Sequence, residues 1–101
     1  MRSVLIVDDE RIEREGIAAL LQMGNYNIEI LEAVNGKEAL TILREKNPEI
    51  LLSDIRMPLM DGIELTHQAK ILNPDIAVVI FSGFSDFNYA KEAIRNGVRE
   101  Y

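Results

Sequence analysis

Three apolar runs in this chain show no polar alternation: Val4-Leu5-Ile6-Val7, Ile50-Leu51-Leu52 and Ile76 to Phe81. A strand with one wet face alternates apolar and polar residues, whereas a strand covered on both faces does not, so these runs read as central strands of a parallel sheet. The segments between them carry helical periodicity and are separated by short Gly, Asn or Pro punctuation, without a linker or low-complexity tract. Strand and helix in alternation predict right-handed βαβ units and an α/β fold, a doubly wound parallel sheet.

The helical segment from Glu10 to Met23 offers Ile12, Gly16 and Leu20 as one stripe with Ile17 and Leu21 beside it, and Gly24-Asn25 ends it. Ile28 to Val34 holds two glutamates, Glu29 and Glu32, which suit an edge strand. Asn35, with Glu38 three residues on, forms a capping-box pattern for a helix to Lys46. Its inward residues would be Ala39, Leu40 and Leu43, and Asn47-Pro48 stops it. A helix from Asp61 to Leu72 presents Leu65, Ala69 and Leu72, with Asp61 as its cap and Gly62 permitting a close loop approach. A fourth helix is expected from Asp86 to Asn96, with Gly97 as its C-cap and a fifth strand from Val98 to Tyr101.

At 101 residues there is room for one domain and one core. The net charge of −6 argues against a basic face for nucleic acid, and the absence of cysteine removes disulfides and thiolate metal sites. No apolar run approaches the roughly 20 residues of a membrane span, and no signal peptide opens the chain, so a cytoplasmic location is expected.

In doubly wound sheets, ligands bind beyond the carboxyl ends of the strands where strand order reverses. The loops there carry Asp8, Asp9 and Glu10 after the first strand, Asp54 after the third and Ser82 after the fourth. Asp8, Asp9 and Asp54 should converge on one acidic pocket whose oxygen-only ligands suit a hard cation, Mg²⁺ in preference to Ca²⁺. A carboxylate beside such an ion can act as a phosphoryl acceptor, and the Ser82 hydroxyl can donate to the phosphate. Glu10 reads as a helix-start residue, Met57, Met60 and Phe81 as packing residues, and His67 as a surface residue.

The stretches "VLIVDDE" at 4 to 10, "LLSDIRMPLMDGIEL" at 51 to 65 and "VVIFSGFSDFNYAKEAIRNGVREY" at 78 to 101 together resemble the receiver domain of two-component response regulators. The resemblance implies a flavodoxin-like (CheY-like) sheet of order 2-1-3-4-5. It implies phosphorylation of Asp54 by a sensor histidine kinase, with Asp9 as a direct Mg²⁺ ligand and Asp8 a ligand largely through water. The Arg56 backbone carbonyl would give a further metal oxygen, Ser82 the switch hydroxyl and Tyr101 the switch aromatic. The wording around Phe84 and "DFNYA" is similar to receivers joined to AraC-type DNA-binding domains, so DNA would be met only through an output domain outside these residues.

The family carries a lysine three residues past the switch aromatic, and the sequence ends at Tyr101. The expectation is a receiver domain over 1–101 that is C-terminally incomplete, lacking the end of strand five and helix five. Uncovered apolar surface would then lower stability or favour a homodimer. Two alternatives carry less weight. One is a Mg²⁺-dependent haloacid dehalogenase-like phosphatase using Asp8 and Glu10; the other is a receiver-shaped interaction module that no longer takes phosphate.

Overall fold

The computed structural model describes residues 2–24 and 27–82, in which strand and helix alternate throughout. The order is β1 (Arg2–Val7), α1 (Arg11–Met23), β2 (Ile28–Ala33), α2 (Gly36–Lys46), β3 (Ile50–Asp54), α3 (Gly62–Leu72) and β4 (Ala77–Phe81). The strands form one parallel sheet in the order β2-β1-β3-β4. This is the expected doubly wound arrangement, with β2 at the edge and the strand order reversing at β1 and β3. The fourth helix and fifth strand expected after Ser82 lie outside the described residues.

The lack of alternation in β1 has the anticipated cause, since each face of the sheet has its own core. Val4 and Ile6 pack with Ile50, Leu52, Val79 and Phe81 beneath Ile17, Ala18 and Leu21 of α1. Leu5 and Val7 pack on the opposite face with Leu51 and Val78 against Ala39 and Leu43 of α2 and Leu65 and Ala69 of α3. Among the described residues no helix is long and apolar enough to cross a membrane.

Local signals explain the helix ends. Asn35 accepts a hydrogen bond from the Glu38 N–H (2.8 Å), but the Glu38 carboxylate reaches back to the N–H of Val34, one residue beyond the usual capping-box partner. Asn47 ends α2 in the left-handed region at φ 48°. Asp61 caps α3 by accepting from Glu64 N–H.

Two inward stripes differ from expectation. In α1 the buried residues are Arg14, Ile17, Ala18 and Leu21, so Ile17 and Leu21 face inward, whereas Ile12 is 87% exposed and Leu20 only half-buried. A buried arginine at the head of the stripe displaced the apparent apolar face towards Ile12. In α3, Leu65 and Ala69 are buried but Leu72, the last helical residue, is exposed, because the chain turns away at Asn73.

Candidate functional site

Strand register builds the site. Val7 pairs with Ser53, and Asp54 pairs with Phe81, so Asp8, Asp54 and Ser82 emerge together at the carboxyl edge of three adjacent strands. The Ile55 N–H donates to the Phe81 carbonyl (2.7 Å), holding the loop after β3 against the end of β4. Gly62 brings that loop back: its N–H donates to the Ile55 carbonyl, and a Cβ at Gly62 would lie 2.5 Å from the Asp54 carbonyl oxygen. Only glycine tolerates that approach.

Asp8 is fully buried and Asp54 nearly so. One carboxylate oxygen from each, with one from Glu13, forms a group whose members all lie within 4.8 Å of one another. Asp8 Oδ1 accepts the Glu10 N–H (2.9 Å), while Asp8 Oδ2 and Glu13 Oε1 are shut off from solvent with no hydrogen-bond partner. Burial pushes the Asp8 carboxyl up to about 7, helped by the Glu13 carboxyl within hydrogen-bonding reach and opposed by the Glu10 N–H. Burial also raises Asp54, with the Arg56 N–H, 3.3 Å from Oδ1, pulling it back and the charges of Asp8 and Asp9 adding to the rise.

A cleft of about 500 Å³ opens over this group, lined by Asp9, Glu10, Glu13, Asp54, Arg56 and Ser82. Asp9 is exposed on its wall and is not a member of the 4.8 Å group. Arg56 and Ser82 are exposed on its rim, and Tyr101 lies outside the described residues. The donor set is all oxygen, and two of its oxygens are buried without partners. Such a set fits a hard divalent cation, which would satisfy those oxygens and relieve the repulsion among them.

Two residues around the site were not singled out by sequence pattern. Arg14 is buried, donating from Nε to Glu32 (2.9 Å) and from Nη1 to the Asp8 backbone carbonyl (2.9 Å). Glu13 precedes Ile17 by one helical turn, and that spacing is the signal that would have placed it on the inward side of α1.

The sequence profile described as "Response regulator receiver domain" matches residues 4–101. The transcriptional regulatory protein YesN of Bacillus subtilis (strain 168) is 37% identical over all of this chain, which spans 28% of that relative. HptR, a transcriptional regulatory protein of Staphylococcus aureus (strain N315), is 39% identical over all of the chain, which spans 40% of it. Among solved structures, a two-component transcriptional regulator AraC from Clostridium phytofermentans ISDg superposes with a TM-score of 0.84 at 32% identity, over 97% of this chain and 92% of that one. The REC domain of AraT, a response regulator from Geobacillus stearothermophilus, gives 0.76 at 39% identity, over 99% of this chain and 78% of that one.

Proposed function

The chain belongs to the response regulator receiver domains, and on that basis we propose that Asp54 accepts a phosphoryl group from a sensor histidine kinase. The observation that carries this reading is the convergence of Asp8, Glu13 and Asp54 within 4.8 Å, with buried oxygens that no protein group satisfies among the described residues.

In the transfer, an Asp54 oxygen forms the new bond to phosphorus as the donor's bond to phosphorus breaks. Asp54 is the acid suited to this, because it lines the open cleft. Asp8, which the phosphatase alternative would use as nucleophile, is fully buried and engaged by the Glu10 N–H. Asp8, Asp9, Asp54 and the Arg56 carbonyl would hold Mg²⁺, which when bound neutralises charge on the phosphoryl oxygens. The Ser82 hydroxyl, on the rim of the same cleft, is the donor to the phosphorylated aspartate, and Tyr101 is the aromatic that responds to it.

The new anion at the sheet edge biases a two-state equilibrium that exposes or hides a partner surface. The relatives are transcriptional regulators of which this chain covers a minority, so the reading for the whole protein is a cytoplasmic, homodimeric regulator whose DNA contacts come from an output domain. With a net charge of −6, the receiver itself offers no basic footprint for DNA. Its chemistry is limited to its own phosphorylation and dephosphorylation.

The test is incubation with a small acyl phosphodonor and Mg²⁺, followed by intact mass measurement. One phosphoryl adduct is expected, absent with chelator and in Asp54→Asn. No adduct, or continuous donor turnover without one, would refute the reading.

A further inference from the structure

Glu13 lies in the first turn of α1, where a carboxylate is ordinarily a solvated anion favoured by the helix N-terminus. Asp9 and Glu10, just before that turn, are indeed exposed. Glu13 is different: its Oε1 is closed to solvent without a hydrogen-bond partner, and its carboxylate belongs to the group within 4.8 Å of Asp8 and Asp54. Arg14, the next residue, directs its guanidinium to Glu32 and the Asp8 carbonyl. Asp8 is a second buried polar group aimed into the same place: it is fully buried, and among the described residues its Oδ2 meets no hydrogen-bond donor. Desolvating two carboxylates against a third is costly unless a proton or a cation joins them, and a cation can satisfy all three at once.

We propose that Glu13 is a further ligand residue of the divalent cation in this receiver, giving the resting site a third carboxylate from α1 beside those of Asp8 and Asp54. This rests on the metal-binding reading above. The expected set of Asp8, Asp9, Asp54 and the Arg56 carbonyl does not include it. An added carboxylate on a helix favours cations that take more oxygens in flexible geometry over Mg²⁺, which demands near-ideal octahedral coordination. Glu13 therefore sets cation preference, strengthening binding of Ca²⁺ relative to Mg²⁺.

The test is Mn²⁺ binding followed by electron paramagnetic resonance, with Mg²⁺ and Ca²⁺ as competitors, in the unphosphorylated protein. Glu13→Gln and Glu13→Ala should each weaken Mn²⁺ binding by roughly tenfold, a loss typical of groups that hold a metal site together. The loss should persist at high salt, and Ca²⁺ competition should weaken more than Mg²⁺ competition. Unchanged affinity in Glu13→Ala overturns the proposal, as does a loss that vanishes at high salt, which marks a remote charge and not a ligand. Circular dichroism of the metal-free variants separates lost binding from lost folding: if Glu13→Ala fails to fold, the affinity of Glu13→Gln decides. Wild-type protein that binds no cation refutes the metal reading itself, whereas wild-type binding retained in full by both variants refutes only the role of Glu13.

Discussion

Above pH 7 the metal-free protein must hold an ionised Asp8 where water does not reach it. The folded carboxyl titrates near 7 and the unfolded one near 3.8, so the folded state binds more protons in that window. Stability is therefore full below the unfolded value and falls as pH rises through about 7, by up to ~4 kcal/mol for such a shift. Thermal unfolding in chelator should show a melting temperature that drops between pH 4 and pH 7.5, and Asp8→Asn should flatten that slope. Cation binding competes with the same protons, so Mg²⁺ affinity should rise over the same window. Gly62 makes a different kind of demand, since a Cβ there meets the Asp54 carbonyl at 2.5 Å. Gly62→Ala should cost about 1–3 kcal/mol by overpacking and slow phosphorylation by displacing Asp54, measurable by denaturant titration and by the rate of adduct formation. The convergence of Asp8 and Asp54 as candidate site residues was legible because carboxylates directly after apolar strands have few structural reasons to be there. Glu13 was not, because a glutamate in a first helical turn has an ordinary electrostatic explanation.

Among the elements, α1 is tied to the sheet by more than apolar contact. Arg14 joins the helix to the edge strand β2 through Glu32 and to the end of β1 through the Asp8 carbonyl. Arg14→Met keeps the packing of the stem but leaves that buried carbonyl without its donor, so a loss of about 1–3 kcal/mol is expected. Glu32→Gln should cost less, because that carboxylate is partly solvated. Both values follow from urea unfolding of the variants. The same arginine explains why the inward face of α1 differs from the apolar pattern: with a charged residue at its head, the buried stripe through Ile17, Ala18 and Leu21 is shorter in sequence than the line through the exposed Ile12. Strands and caps were easier to read, since uninterrupted apolar runs and Asn or Asp before a helix each have one dominant physical cause.

For the molecule as a whole, sheet order and site position are consequences of each other. A parallel sheet that reverses at β1 and β3 brings Asp8 and Asp54 to one edge although they are distant in sequence. That fold was legible because the pattern repeats along the chain, whereas the closeness of α1 to the acids depends on packing that no short motif encodes. A cation that binds only the folded site should stabilise the protein, by about 1.4 kcal/mol at a tenfold excess over its dissociation constant. Scanning calorimetry at pH 7.5 should show the melting temperature rising with Mg²⁺, with no rise in Asp8→Asn. The proposed phosphoryl transfer places the group on one carboxylate, and borohydride trapping would identify it, because an acyl phosphate is reduced where a free carboxylate is not. After treatment with phosphodonor and Mg²⁺, peptide mass spectrometry should find homoserine in place of aspartate at residue 54. Homoserine at position 8 or 9, or at none of the three, would rule out Asp54 as the acceptor.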